Sequence, residues 1–175
     1  SVCASLEEVA PAEWDALVGD DQPFLEHAFL YLLETSKSVG PEAGWIPQHV
    51  LIKKDGRLVG ACPNYIKDNS RGEYIFDWSW AEASTGAGIP YYPKLLVGVP
   101  FTPATGPRFL IHPDCESGPL RQALASALLE LCSDSNMNSV HILFCSEQEA
   151  EALSSSQFAH RVTHQYHWFN NNYSS

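Results

Sequence analysis

Apolar residues in this chain change their spacing from stretch to stretch, and that spacing separates helices from strands. Residues 11–18 (PAEWDALV) put Trp14, Leu17 and Val18 on one side behind a first-turn proline, which predicts a short helix. From residue 23, Phe24, Leu25, Ala28, Phe29, Leu32 and Leu33 repeat at three and four and predict a second helix. Asp20 and Asp21 precede it, where a cap and the helix dipole favour acids. Residues 49–53 and 57–62 flank Lys54-Asp55-Gly56, a hairpin signal because a primed turn needs positive φ. The second strand extends through Tyr65 and Lys67. Residues 73–80 (EYIFDWSW) alternate Tyr74, Phe76, Trp78 and Trp80 against Glu73, Ile75, Asp77 and Ser79, which predicts a third strand with an aromatic face. Leu95, Leu96, Val97 and Val99 form a continuous apolar run, the mark of a strand buried on both faces, and Pro100 and Pro103 end it. Leu120, Leu124, Ala127, Leu128 and Leu131 give the next helix its buried face. Residues 140–145 (VHILFC) read as a second buried strand. Ser146 and Glu149 have capping-box spacing, so a helix starts there and runs to residue 155. Residues 161–169 alternate Val162, His164, Tyr166 and Trp168 against Thr163, Gln165 and His167, a final strand before a polar, loose tail over 170–175.

The order is helix, helix, hairpin, third strand, buried strand, helix, strand, helix, strand. Its second half reads as crossover units and its middle as an antiparallel meander. The predicted fold is α/β, a mixed β-sheet flanked by helices. Within it, 95–101 and 140–145 are expected as adjacent, central, parallel strands. No internal repeat or long linker breaks the chain.

Composition narrows the function classes. A chain of 175 residues, 45% hydrophobic and 11% aromatic, fits one folded domain with a real core. A net charge of -11 repels phosphate backbones and argues against direct nucleic-acid binding. The apolar runs are far shorter than the ~20 residues of a membrane span. Five scattered cysteines without a CxxC predict free, mostly buried thiols in a reducing compartment, cytoplasmic or an organellar stroma or matrix. The chain begins at Ser1 and not Met, which fits either a removed leader, as the organellar case expects, or trimmed ends. GxSxG, Walker A and HExxH are all missing from the sequence, which removes most support for hydrolase, nucleotidase and metalloprotease readings.

The candidate chemistry gathers around residues 91–112 (YYPKLLVGVPFTPATGPRFLIH), where a buried strand runs into a polar loop ahead of a helix. Glu73 and Asp77 share the polar face of the predicted third strand, roughly 13 Å apart by strand rise, too far to act as one pair. Each is a candidate base or a structural acid. Tyr91 and Tyr92 are candidate acids or packing groups; Tyr92 is taken as the catalytic candidate. Lys94 and Arg108 suit a carboxylate or phosphate. Thr102 and Thr105 are candidate substrate hydrogen-bonding groups. His27 sits one residue from the apolar stripe of its helix, as a core-edge histidine or a substrate contact. Arg108 lies between Gly106-Pro107 and an apolar run and must find a carboxylate, carbonyls or a ligand anion. The expected partner is Asp77 or Glu73; the alternative is an anion held with Lys94 and Thr102. His164 and His167 lie on opposite faces of their predicted strand, so no metal site is assigned.

The element order resembles the GNAT acyltransferase fold. The motifs PFLEHAFLYLLETSKSVG, GWIPQHVLI, GEYIFDW, YYPKLL, VPFTPATGPR and QYHWFN are similar to those of predicted N-acyltransferases related to Fem-type peptidoglycan-bridge enzymes. That family usually continues into a second GNAT-like domain soon after QYHW, so residues 1–175 resemble the N-terminal half of a tandem-domain protein. Trp78 stands where the family usually has histidine, and Asn69 where it often does. The resemblance implies transfer of an acyl or aminoacyl group from an activated donor to a small-molecule amine. It names acyl-CoA or aminoacyl-tRNA as donor and the second domain as partner, with no bound cofactor. It implies that the splayed strand over 95–101 offers backbone N–H groups to the donor. The loop HPDCESGPL (112–120) would face the donor's phosphates, yet it lacks the usual glycine-rich cradle and carries Asp114 and Glu116. Those acids point to the alternative reading, a noncatalytic GNAT-fold binding or scaffold domain.

Overall fold

The computed structural model describes residues 1–172. In chain order its elements are β1 (Val2–Cys3), α1 (Pro11–Val18), α2 (His27–Thr35), β2 (Ile46–Pro47), β3 (His49–Lys54), β4 (Arg57–Cys62), β5 (Asn64–Lys67), α3 (Trp78–Gly86), β6 (Lys94–Val97), β7 (Leu110–Ile111), α4 (Ser117–Asp134), β8 (Val140–Ile142) and α5 (Glu147–Ser154).

One long hairpin carries the fold. Asp55 and Gly56 both have positive φ (52° and 81°), the primed turn that the Asp-Gly pair predicts. Each arm is broken once, at Gln48 and at Pro63, and the break divides the strands between two sheets. One sheet runs β1-β3-β4-β7 and the other β2-β5-β6-β8. Pro63 cannot donate to a ladder, which is why the predicted single strand ends there and resumes. Asn64 bridges the gap: its carbonyl accepts from the Gln48 N–H at 2.8 Å, and its side-chain amide donates to the Gln48 carbonyl at 2.9 Å.

Beside the second arm lies a strand with an excursion in it. β6 pairs antiparallel with β5, Asn64 opposite Val97; β7 pairs antiparallel with β4, Ala61 opposite Leu110. Residues 98–109 leave the sheet between them. β6 also pairs with β8 in parallel, Leu96 opposite His141. The expected parallel neighbours are therefore present. β8 is not central, however: it is the last strand of its sheet, only three residues long and half-buried.

Strand alternation serves two faces. Leu51, Leu58, Ala61 and Leu110 pack with Trp14, Leu17, Val18, Leu25 and Leu30. Val50, Cys62, Val97 and Phe109 pack with Leu124, Ala125 and Leu128 of α4. Trp45, Tyr65, Leu96 and Leu143 form a third cluster. Cys3 and Cys62 are buried, and Cys115, Cys132 and Cys145 are half-buried; all five are free thiols.

Three predicted elements need correction. The second helix begins at His27, not near residue 23; residues ahead of it turn through a Leu25 N–H to Gln22 carbonyl bond at 2.9 Å. Its N-cap is Glu26, without a side-chain cap bond, so Asp20 and Asp21 do not cap it. His27 and Leu30 are its buried residues, Leu25 is buried in the turn ahead of it, and Leu32 is 64% exposed. The third strand does not form. Tyr74 and Phe76 take positive φ (59° and 51°), which ends an extended run, and Trp78–Gly86 is helical. The alternation at 73–77 exists, but its polar members face inward because Lys94 is there to receive them. The last predicted strand, 161–169, is exposed throughout and forms no ladder with any described residue. Alternation predicts a strand only where a partner edge is long enough to pair with, and β8 offers three residues. Residues 173–175 of the expected loose tail lie outside the described residues.

Candidate functional site

The first residue of β6 organises a buried charge cluster. Register places Lys94 opposite Lys67, at the end of the sheet. Its ammonium donates to Glu73 Oε2 at 2.8 Å, Asp77 Oδ2 at 2.9 Å and Ser70 Oγ at 3.0 Å. All four residues are buried, and Lys94 and Asp77 are wholly so. The loop at 68–77 delivers Ser70, Glu73 and Asp77 together. Glu73 and Asp77 thus meet at one ammonium, contrary to the 13 Å separation expected of a strand, because the left-handed residues Tyr74 and Phe76 fold the segment back on itself. One oxygen of each acid, Glu73 Oε1 and Asp77 Oδ1, has no hydrogen-bond partner. An unsatisfied buried carboxylate oxygen is costly in a purely structural ion pair.

Tyrosines line the outer side. Tyr91 Oη donates to Asp77 Oδ2 at 2.6 Å, and Tyr92 Oη shares a 2.6 Å hydrogen bond with Ser70 Oγ. The Lys94 ammonium lies 5.1 Å from the Tyr91 ring centroid and 5.4 Å from that of Tyr92. His141, paired with Leu96 on the same face as Lys94, stacks edge-on against Tyr91 at 5.6 Å. Its Nε2 is 3.0 Å from Ser139 Oγ. Lys67 donates to the Arg71 carbonyl at 3.1 Å and lies over Trp45 at 4.0 Å.

The groups separate electrostatically. Burial pushes the Glu73 carboxyl above the usual carboxylate range, with Lys94 opposing. Burial pushes Asp77 upward too, but hydrogen bonds from Tyr91, Lys94 and Ser70 outweigh it and leave Asp77 below its ordinary value. Burial, then repulsion by Lys94, lowers His141 to about 4 and keeps it neutral near pH 7. Burial and repulsion from Lys94 lower Lys67 to about 8, against the pull of Glu73. Tyr91 is raised, first by burial and then by its bond to Asp77.

Above this cluster α3 and Tyr91 enclose an open cleft of about 490 Å³, lined by Ser79, Trp80, Ala83, Ser84 and Tyr91. Tyr91 belongs to both, so it joins the cleft to the buried acids.

The remaining sequence candidates lie elsewhere. Arg108 is 1% exposed and bonds carbonyls, not the acids Asp77 and Glu73. It donates to Leu143 O at 2.7 Å, Pro107 O at 3.0 Å and Ala104 O at 2.5 Å, closing the 98–109 excursion. Burial lowers its guanidinium to about 10, with Glu149 opposing. Thr102 Oγ1 donates to the Pro100 carbonyl at 3.0 Å, and Thr105 is exposed on the same excursion. His27 is buried beside Tyr31, with Nε2 2.9 Å from the Leu6 carbonyl. The structure therefore gathers Glu73, Asp77, Tyr92 and Lys94, and leaves His27, Thr102, Thr105 and Arg108 apart.

Ser70, Tyr91, His141 and Lys67 complete the cluster without having been singled out together. Only the strand register, Lys67 opposite Lys94 and His141 opposite Leu96, brings them in. A second polar niche, about 190 Å³, lies between the first turns of α4 and the end of α5. Gly118, Arg121, Gln122, Ser155 and Ser156 line it, and Arg121 Nε has no partner. Three of the backbone N–H groups over 95–101 expected to greet a donor are occupied: Leu95, Gly98 and Phe101 donate to Ser139, Pro63 and Gly72 carbonyls.

Comparison with known proteins adds three findings. The FemAB-like family model, described as peptidoglycan biosynthesis/recognition, matches residues 5–175. No curated protein sequence matches the chain significantly. A crystal structure of a ribosomal-protein-alanine N-acetyltransferase from Brucella melitensis biovar Abortus 2308 superposes with a TM-score of 0.53 at 15% identity, covering 97% of this chain and 98% of that one. That likeness is one of fold, a GNAT-like mixed α/β architecture.

Proposed function

Because this chain belongs to the FemAB-like family, we propose that it serves the transfer of an acyl or aminoacyl group to an amine, with the Lys94 cluster at the acceptor side. The observation that carries this reading is the buried pair Glu73 and Asp77 on one ammonium, each with a free oxygen, joined through Tyr91 to an open cleft.

An ammonium must lose a proton before its nitrogen attacks a carbonyl. Glu73, raised by burial, is the stronger base of the two acids. Asp77, held low by Tyr91 and Lys94, stays ionised and fixes the Tyr91 hydroxyl. The attacking amine forms the new C–N bond, the donor's C–S or C–O bond breaks, and the proton passes to the departing sulfur or oxygen. His141, neutral near pH 7, stands against Tyr91 as a further proton-handling group. An acyl-CoA or aminoacyl-tRNA donor carries phosphates. Arg121 near the start of α4, with Ser155 and Ser156 at the end of α5, offers them a cation and hydroxyls. The second GNAT-like domain that the motifs imply would supply the rest of a cradle that the loop at 112–120 lacks.

A second reading, a binding domain without transfer, is favoured by one observation. The N–H groups of Leu95, Gly98 and Phe101 already bond carbonyls of this chain. The two readings separate in one assay. Labelled acetyl-CoA, or an aminoacyl-tRNA, is offered with a panel of primary amines. Transfer that falls by about 10²–10⁴-fold in Glu73→Gln, with melting unchanged, supports the enzyme. No product from either donor with the unmodified chain supports the binding domain.

A further inference from the structure

The cleft between α3 and Tyr91 has an uneven hydrogen-bonding character. Tyr91 Oη has committed its proton to Asp77 at 2.6 Å. Ser84 Oγ has committed its proton to the Ile89 carbonyl at 2.7 Å. Both hydroxyls therefore present only lone pairs to anything in the cleft. The wall is the indole of Trp80, 60% exposed on the helix face it shares with Ser79, Ala83 and Ser84. That indole already carries a cation: the Arg161 guanidinium lies over the ring, 5.2 Å from its centroid. An aromatic face with acceptor-only oxygens beneath it suits a ligand that brings positive charge and N–H donors. The chain's net charge of -11 draws such ligands in.

We propose that this cleft is a recognition site for the cationic head of an alkylammonium or alkylguanidinium compound, with the Trp80 ring, which Arg161 already shares, as its aromatic wall. The proposal deepens the acceptor-side reading above and rests on it for its biological sense, though not for its test. The head group stacks on Trp80 and donates to Tyr91 and Ser84. An entering cation shares the Trp80 ring with Arg161, whose like charge opposes it. Trp80 and Ser84 are then positioning residues for the acceptor, one shell outside the acids.

The test reads binding, not transfer. The chain has five tryptophans, so an ¹H–¹⁵N spectrum holds five indole N–H signals, and Trp80→Phe identifies the one from Trp80. Butylammonium is titrated in, with 1-pentanol as a neutral probe of similar length and acetate as an anion. The Trp80 signal should shift saturably with butylammonium and stay still with the other two. Arg161→Ala, an exposed position, should tighten butylammonium binding about two- to fivefold by removing a like charge from the same ring. An unmoved Trp80 signal, an equal shift with 1-pentanol or acetate, or unchanged affinity in Arg161→Ala would each overturn the proposal. Intact binding alongside absent transfer would count against the enzyme reading alone.

Discussion

Lys94 shows how much one side chain decides here. Its ammonium is wholly buried and compensates two acids at 2.8 and 2.9 Å. Lys94→Ala leaves both carboxylates buried and opposed, and should cost about 3–5 kcal/mol in urea unfolding. The triple change with Glu73→Gln and Asp77→Asn should recover most of that loss; no recovery would mean that Lys94 acts by packing alone. His141 gives the pH dependence. Its folded value, about 4, lies below the ordinary 6.5, so the unfolded chain binds its proton first as pH falls. The stability it contributes is complete above pH 6.5 and is lost between 6.5 and 4, up to about 3 kcal/mol. His141→Gln should remove that part of the slope, read as the difference between the two stability–pH curves. Sequence reading could name Glu73, Asp77, Tyr92 and Lys94 because buried-strand polar residues stand out. It could not join them, since the two left-handed residues that fold 73–77 back are aromatic, not glycine. Arg108 was legible as a residue that must find partners, yet carbonyls from its own loop and Leu143 satisfied it instead of the acids.

At the scale of elements, local chemistry was most legible where a turn or cap dictates geometry. The Asp-Gly hairpin and the Ser146–Glu149 capping box both form as their spacing requires. Glu149 does more than cap. Its buried carboxylate also accepts the Arg108 and Phe109 N–H groups at 2.8–3.0 Å, tying α5 to the end of the 98–109 excursion. Ser146→Ala should cost about 1 kcal/mol. Glu149→Ala should exceed it by about 1–3 kcal/mol because those N–H groups lose their partner in a buried place. Equal losses in thermal melts would show that the capping box is the whole of its role. Leu128 lies mid-face on α4, 0% exposed among Val97, Leu124 and Leu153. Leu128→Ala should therefore cost about 2–5 kcal/mol. Helix α3 was illegible for the opposite reason: it buries none of its residues, so no apolar stripe marks it.

At the scale of the whole molecule, the segment 161–169 tests what a sequence pattern can claim. Its alternation is as regular as that of any strand that formed, yet Val162 is 77% exposed and Tyr166 fully so. What ties it down is side-chain contact: Arg161 on Trp80, and Gln165 donating to the Pro103 carbonyl at 2.5 Å. Among the described residues, β8 meanwhile ends its sheet with no strand beyond it. If the segment paired with that edge within one molecule, its apolar positions would be half-buried and their loss would be felt. As the structure stands, Val162→Ser with Tyr166→Ser should change unfolding free energy by less than about 1 kcal/mol. A larger loss, independent of protein concentration, would place the segment on the edge of its own sheet. A loss that shrinks on dilution would place it on the edge of a second copy, because strand exchange between copies stabilises the unmodified chain most at high concentration. Urea unfolding followed by circular dichroism at two concentrations about fiftyfold apart decides among the three. The expected outcome is superimposable curves for the double variant and the unmodified chain, with folding carried by the broken hairpin and the helices packed on its two faces.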